Sequence, residues 1–154
     1  MKITTRVITR AAILLALAIA VQQMKVQWLT GPAINAILIL ATGYTGILTG
    51  IIIGLFTPVM AFLQGIMPLA IAVPVIMVGN ALLCLGFYWA RKVNNLVGIT
   101  VGAIIKFSFL SLAVNFIVQV PPKVAQALSF PQLITALIGG IIAVIILNYL
   151  PEND

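Results

Sequence analysis

A long interval without charge dominates this sequence: no charged side chain occurs between Lys25 and Arg91. Over the whole chain 6% of residues are charged and 63% are hydrophobic, whereas a soluble domain carries about 25% charged residues. So few charges cannot cover the surface of a water-soluble domain. We therefore expect an all-α integral membrane protein and exclude a soluble enzyme or a disordered chain. The formal net charge of +6 is too scattered to form a patch for nucleic acid.

The residue types needed for catalysis are largely missing. Histidine is absent, Cys84 is the single cysteine, and the two acids, Glu152 and Asp154, lie in the last three positions. Catalytic triads, paired carboxylates and metal sites all need these groups in combination. The phosphate-binding loop of ATPases is also missing. We therefore expect neither an enzyme nor a bound metal or cofactor, and any ATP hydrolysis would fall to partner subunits.

Apolar segments that can cross a bilayer follow one another along the chain. A crossing helix needs about 20 apolar residues, and the run from Pro32 to Leu63 is too long for one helix, so we place a break at 42–46. Six spans result, at about residues 5–23, 29–42, 44–62, 73–90, 96–120 and 133–150. They form one transmembrane domain, residues 1–154, predicted as a six-helix bundle.

The basic residues set the predicted orientation. Lys2, Arg6 and Arg10 precede or begin the first span, and Arg91 with Lys92 follows the fourth. Cytoplasmic loops carry an excess of Lys and Arg, which places both termini in the cytoplasm. The longer connections then lie outside. Either the working surface faces outward or these loop lengths carry no information.

The fifth span carries a polar stripe. Its members share one helix face at three- and four-residue spacing: Ser108, Ser111, Asn115 and Gln119. Polar groups avoid lipid, so the stripe is predicted to point into the bundle, where Asn80 of the fourth span could face it. Together they predict a polar cavity that opens outward. The alternative is a set of ordinary hydrogen bonds between helices.

Lys106 lies near the middle of the fifth span and has no acid nearby in the sequence. A charge at that depth costs about 3 kcal/mol or more, so the residue is a functional candidate. It lies almost opposite the stripe, which argues against one pocket holding both. Bonds to backbone carbonyls, a neutral amine, a partner contact or a place beside the pocket all stay open. Lys25 and Lys123, in outer loops, would suit a ligand carboxylate or phosphate, although such lysines are usually only solvated.

Small residues recur four apart on three spans. Ala12, Ala16 and Ala20 form a ridge on the first span. Glycine ridges follow on the third and fifth spans, at Gly46, Gly50 and Gly54 and at Gly98 and Gly102. Small residues let helices approach closely in lipid. We expect the glycines to pack inside the bundle, whereas the alanine ridge could face another subunit.

Taken together, these features resemble the substrate-binding S components of energy-coupling factor (ECF) transporters, which are bacterial vitamin importers. The resemblance covers the whole chain in size and span pattern. It rests on the alanine ridge, on the run Thr30-Gly31-Pro32-Ala33-Ile34-Asn35-Ala36, and on Pro74-Val75-Ile76-Met77-Val78-Gly79-Asn80-Ala81.

The resemblance implies a fold, partners and site residues. It implies a six-helix protein of the bacterial cytoplasmic membrane that captures a vitamin or related micronutrient from outside. It also implies docking of Ala12, Ala16 and Ala20 onto a transmembrane coupling protein driven by two ATPase subunits. Position and polarity give the candidate ligand contacts as Trp28, Gln64, Asn80, Asn115 and Gln119. Lys106, Lys25 and Asn35 are further functional candidates, and no signature names the ligand.

Two other classes of protein remain open. A structural membrane protein, such as an MreD-like cell-shape protein, would have a packed interior without an outward polar cavity. A small pore for neutral solutes would have a continuous polar path. Ion-coupled carriers usually place acids or histidines within the membrane, and this chain has none there.

Overall fold

The computed structural model describes residues 4–67 and 69–150, and over these residues the chain is helical with no β-strand. Seven α-helices follow in order: α1 Thr5–Gln22, α2 Gln27–Leu40, α3 Ile47–Leu63, α4 Ala72–Ala90, α5 Asn95–Leu112, α6 Pro122–Ala127 and α7 Phe130–Tyr149. Two π-helical turns, Ala41–Thr45 and Ala113–Ile117, continue α2 and α5. Lys2, Glu152 and Asp154, and with them both termini, lie outside the described residues.

A helix overlaps each of the six predicted spans. In the described part of the chain four segments are long and apolar enough to cross a membrane: Thr5–Gln22, Ala72–Ala90, Asn95–Ile117 and Pro122–Tyr149. The predicted all-helical architecture is therefore confirmed over the described residues, and it is compatible with a helical membrane protein. The count of six crossings stays a prediction, because α2 and α3 are shorter.

The break predicted at 42–46 is a tight turn between α2 and α3. The hydroxyls of Thr42 and Thr45 donate to the Leu38 and Ala41 carbonyl oxygens, at 2.8 and 2.7 Å. Gly46 then adopts φ 113°, a conformation that favours glycine, and α3 begins at the next residue. The Ala41 carbonyl oxygen also accepts from the Gly46 N–H at 3.0 Å, so side-chain and backbone bonds together hold this turn.

Glycines bring two pairs of helices into backbone contact. A Cβ atom at Gly86 of α4 would lie 2.8 Å from the Gly102 Cα of α5, and a Cβ at Gly102 would lie 2.8 Å from the Leu83 carbonyl oxygen. In the α2–α7 pair, a Cβ at Gly139 would lie 2.8 Å from the Asn35 Cβ. These crossings place Asn35, Asn80 and Lys106 on inward faces of neighbouring helices. Gly50, Gly54, Gly98 and Gly102 are buried as predicted, and Gly46 is half-buried.

Large apolar side chains fill the half of the bundle nearest the 41–46 turn. The fully buried ones include Leu38, Ile39, Ile53, Leu83 and Phe87. In contrast, α1 lies at the periphery, and all three alanines of its ridge are exposed. The described helices thus surround an apolar, closed half, while the opposite half holds other buried polar residues: Gln22, Asn35, Thr57, Asn80, Lys106 and Thr135.

We expect Gly102→Val to destabilise the bundle, because an added side chain has no space against the α4 backbone. Overpacking a tight interior costs about 2 kcal/mol or more, which thermal unfolding of the detergent-solubilised protein would report. Thr100→Val places the same residue on the exposed face of α5 and is the matched control. Equal unfolding temperatures for the two variants would contradict the glycine crossing.

Candidate functional site

A cavity of about 350 Å³ lies at the end of the bundle where α1 ends and α2 begins. Five of the long helices after α1 and the end of α1 itself contribute to its walls. Its polar lining residues are Gln22, Lys25, Gln27, Thr30, Asn35, Thr57, Asn80, Lys106 and Gln132. Ligand pockets typically enclose about 300–1,000 Å³, so this cavity suits one small molecule.

Lys106 lies in the floor of the cavity and is 2% exposed. Its Nζ donates to Asn35 Oδ1 at 2.7 Å and to Asn80 Oδ1 at 2.8 Å. These are short bonds, as expected for a charged donor. The side-chain amides of two other helices therefore hold the amine. Bonds to backbone carbonyls were among the alternatives considered from sequence, but bonds to side-chain amides were not.

Further hydrogen bonds fix the orientation of both asparagines. Asn35 Nδ2 donates to Thr135 Oγ1 at 3.3 Å, and Asn80 Nδ2 donates to the Gly54 carbonyl oxygen at 3.0 Å. Because each amide nitrogen is used in this way, each Oδ1 faces Lys106. The acceptors around the amine are therefore set by α3 and α7 as well as by α2 and α4.

Pro58 explains why the Gly54 carbonyl is open to Asn80. A proline within a helix has no N–H to donate to the carbonyl four residues earlier, and for Pro58 of α3 that carbonyl belongs to Gly54. Asn80 supplies the missing donor from α4. The proline thus forms part of the polar network, beyond the shape change that sequence alone suggests.

Gln22 forms the wall beside this network. Its Nε2 donates to the Thr57 carbonyl oxygen at 2.9 Å, and the residue is 8% exposed. Its Oε1 is the one buried side-chain polar atom, among the described residues, that has no hydrogen-bond partner. A buried acceptor without a donor is unfavourable, and this acceptor belongs to a residue that lines the cavity.

The mouth of the cavity is built from loops and from the first residues of α2 and α7. Lys25, in the connection after α1, has φ 55° and lines the cavity. Gln27 Nε2 and Gln132 Nε2 both donate to the Ala127 carbonyl oxygen, at 3.0 and 3.4 Å. The ends of α2, α6 and α7 are therefore linked at the rim.

The polar stripe of α5 does not line this cavity, and that interpretation is wrong. Ser108, Asn115 and Gln119 are exposed, and Ser111 is half-buried. Lys106, almost opposite on the helix, takes the inward face. An ammonium group that faces lipid is more unfavourable than hydroxyls and amides that face lipid. Asn115 Nδ2 also donates to the Ser111 carbonyl oxygen at 2.7 Å, so it needs no partner from another helix.

The remaining sequence candidates divide between the cavity and its surroundings. Asn80, Lys106, Lys25 and Asn35 line the cavity. Trp28 is 60% exposed and borders a neighbouring groove with Lys123. Gln64 lies outside the cavity and accepts a hydrogen bond from Gln23 Nε2 at 2.7 Å.

Sequence reasoning missed Gln22, Thr57, Thr135 and Gln132. Gln22 lies at the end of the predicted first span, where no pattern marks it as inward-facing, and it is the last residue of α1. The threonines lie singly in apolar helices, where no pattern marks them. The sequence did mark the position of Thr57, because this residue precedes Pro58, which has no N–H to bond the Gly54 carbonyl within α3.

The arrangement is suited to binding. It offers two positive charges, those of Lys25 and Lys106, several amide groups and a half-enclosed space. Cys84 is buried outside the cavity lining, with its Sγ 4.0 Å from the Leu38 carbonyl oxygen. The described residues contain no group of His, Cys, Asp and Glu that could hold a metal ion.

We expect the free energies of unfolding to show coupling between Lys106 and Asn80. Asn80→Ala should cost less in a Lys106→Met background, because the ammonium no longer needs that acceptor. A double-mutant cycle in detergent should give a coupling of about 1 kcal/mol. Gln132→Ala, in the same cavity but not bonded to Lys106, should add independently. Additivity for Asn80 would contradict the network.

Comparison of the chain with protein-family models, with curated proteins and with solved structures finds no match.

Proposed function

We propose that the protein is the substrate-specific membrane subunit of an ECF-type importer, a six-crossing bundle that captures a vitamin or related micronutrient. The observation that carries the proposal is the half-enclosed polar cavity at one end of the bundle, with Lys106, Asn35 and Asn80 in its floor. The resemblance in span pattern and small-residue motifs supports the same function.

The distribution of basic residues supports an outward-facing cavity. At the closed end, the Arg10 guanidinium carbon lies 4.3 Å from the centroid of the Tyr44 ring, and Arg91 approaches Gly43 of the same turn. Arg6 and Lys92 belong to this end as well, whereas Lys25 and Lys123 lie at the cavity end. Because cytoplasmic ends carry more Lys and Arg, the proposed cavity opens to the outside of the bacterial cytoplasmic membrane.

The cavity separates this proposal from its two alternatives. A structural protein of the MreD-like type needs no polar recess that leads to a buried lysine. A pore needs a continuous polar path, but buried Leu38, Leu83 and Phe87 fill the bundle on the closed side. A recess with a closed floor favours capture over passage.

The alanine ridge is the proposed docking surface for the coupling protein. Ala12, Ala16 and Ala20 are exposed on one face of the peripheral α1. Small side chains let a partner helix approach closely within the membrane. Since the sequence has no phosphate-binding loop, energy would come from two ATPase subunits attached to that partner.

Purification from cells grown in rich medium tests capture. We expect a near-equimolar small molecule, released on denaturation and identified by mass spectrometry. Asn80→Ala should reduce its affinity by about five- to tenfold, because a hydrogen-bonding group in the floor contributes about 1 kcal/mol. Asn115→Ala, outside the cavity, is the control and should bind as the wild type does.

Two results would contradict capture. One is a wild-type protein that carries no small molecule. The other is leakage of neutral solutes from liposomes that contain the protein, which would favour a pore.

A second variant tests docking. Ala16→Leu should abolish assembly with a co-expressed coupling protein and its ATPases, because the larger side chain fills the ridge, while solute binding is unchanged. Ala70→Leu makes the same change at an exposed position in the loop between α3 and α4, away from the ridge, and this variant should assemble normally. Co-purification of the subunits measures both, and normal assembly of Ala16→Leu would refute this surface.

A further inference from the structure

Lys106 has a hydrogen-bond donor that no described residue uses. A protonated lysine has three N–H donors, and Nζ has two recorded acceptors, Asn35 Oδ1 and Asn80 Oδ1. The residue is almost fully buried yet lines the cavity. The remaining N–H is therefore available to a molecule bound in that space.

The charge of Lys106 also lacks a counter-charge. Between residues 1 and 151 the sequence has no carboxylate side chain, and the neighbouring groups are neutral amides. A buried charge is strongly favoured by an opposite charge placed beside it. The residues that the structure describes include no side-chain carboxylate, so an anion bound in the cavity would supply the counter-charge that they lack.

Gln22 Oε1 is a second unsatisfied group in the same cavity, and it is an acceptor. Gln22 and Lys106 are linked through α3 and α4: Gln22 bonds the Thr57 carbonyl oxygen, and the Thr57 hydroxyl lies 3.5 Å from Asn80 Nδ2. One wall thus holds a buried acceptor without a partner, near a floor that holds a donor without one.

We infer that the captured solute is a small carboxylate that also carries an N–H or O–H donor. Its carboxylate oxygen accepts from Lys106 Nζ, and its donor group bonds Gln22 Oε1. This inference rests on the proposed capture function and specifies its substrate class. A phosphate, with three acceptor oxygens, needs more donors than a carboxylate, and both donors of Asn80 Nδ2 in the floor already have acceptors, the Gly54 carbonyl oxygen and Thr57 Oγ1.

Lys25 adds a positive charge at the entrance. It is exposed and lines the same cavity. Charge of one sign along a cleft raises the local concentration of ligands of opposite sign. The cavity is therefore positive at both its mouth and its floor, which favours entry of an anion.

The test uses the small-molecule filtrate of yeast extract, separated at neutral pH by anion-exchange resin into a retained anionic fraction and an unretained fraction. The full-length protein in detergent is heated with each fraction. We expect the anionic fraction alone to raise the unfolding temperature by about 5 °C. Lys106→Met should lose this shift. Lys92→Met removes an exposed charge from the turn between α4 and α5, at the closed end of the bundle, and should keep the shift.

The outcomes separate this inference from the capture function. A shift with the unretained fraction alone leaves capture standing and overturns the carboxylate. An equal shift for Lys106→Met and wild type also overturns it. The absence of a shift with either fraction, together with the absence of a co-purifying molecule, overturns capture itself.

Two further measurements keep the test decisive if Lys106→Met does not fold. The molecule released from protein purified from rich medium should be a carboxylic acid by mass spectrometry, and a neutral, cationic or phosphorylated molecule overturns the inference. Gln22→Leu should reduce the shift by half or more, while Gln23→Leu, its exposed neighbour, should not. Equal shifts for these two variants would remove Gln22 from the site.

Discussion

An ammonium group in an apolar bundle must be surrounded by hydrogen-bond acceptors, and the structure is organised around this requirement at Lys106. A charge at such depth costs about 3 kcal/mol or more when left alone. Asn35 and Asn80 supply two acceptors from α2 and α4. One side chain of α5 thereby joins three helices at a single point, and it determines which face of α5 turns inward. The exposed position of the α5 polar stripe follows from the same choice.

Irregular backbone makes these acceptors possible. Pro58 leaves the Gly54 carbonyl without its usual helical donor, and Asn80 bonds that carbonyl. The oxygen of the same amide is thereby directed at Lys106. On the other side, the close approach of α2 and α7 at Gly139 brings Thr135 within reach of Asn35. The polar floor therefore depends on one proline and one glycine that contribute no polar side chain themselves.

The sequence predicts the helices better than it predicts the site. Length and hydrophobicity are local properties, and they place a helix on each predicted segment, with the break at Gly46 where glycine takes a positive φ. They also identify Asn80 and Lys106 as unusual. Which face of α5 points inward is decided by contacts with Asn35, which is 71 positions away along the chain. The stripe with Asn115 and Gln119 and the side chain of Lys106 lie on nearly opposite faces, so only one of them can face the interior. Residue spacing alone does not show whether a row of amides or a single ammonium group is more unfavourable when it faces outward.

The closed floor also bears on how a captured solute would leave. A passage through the bundle has to separate Asn35 and Asn80 from Lys106, and hydrogen bonds to a charged group contribute about 1.5–3 kcal/mol each. It also has to open the α4–α5 crossing, where backbone meets backbone at Gly86 and Gly102. Movement of the intact bundle relative to the membrane breaks none of these contacts. Within the proposed function, the resemblance to ECF S components implies release by reorientation of the whole protein, and such a movement leaves these glycine contacts and hydrogen bonds intact.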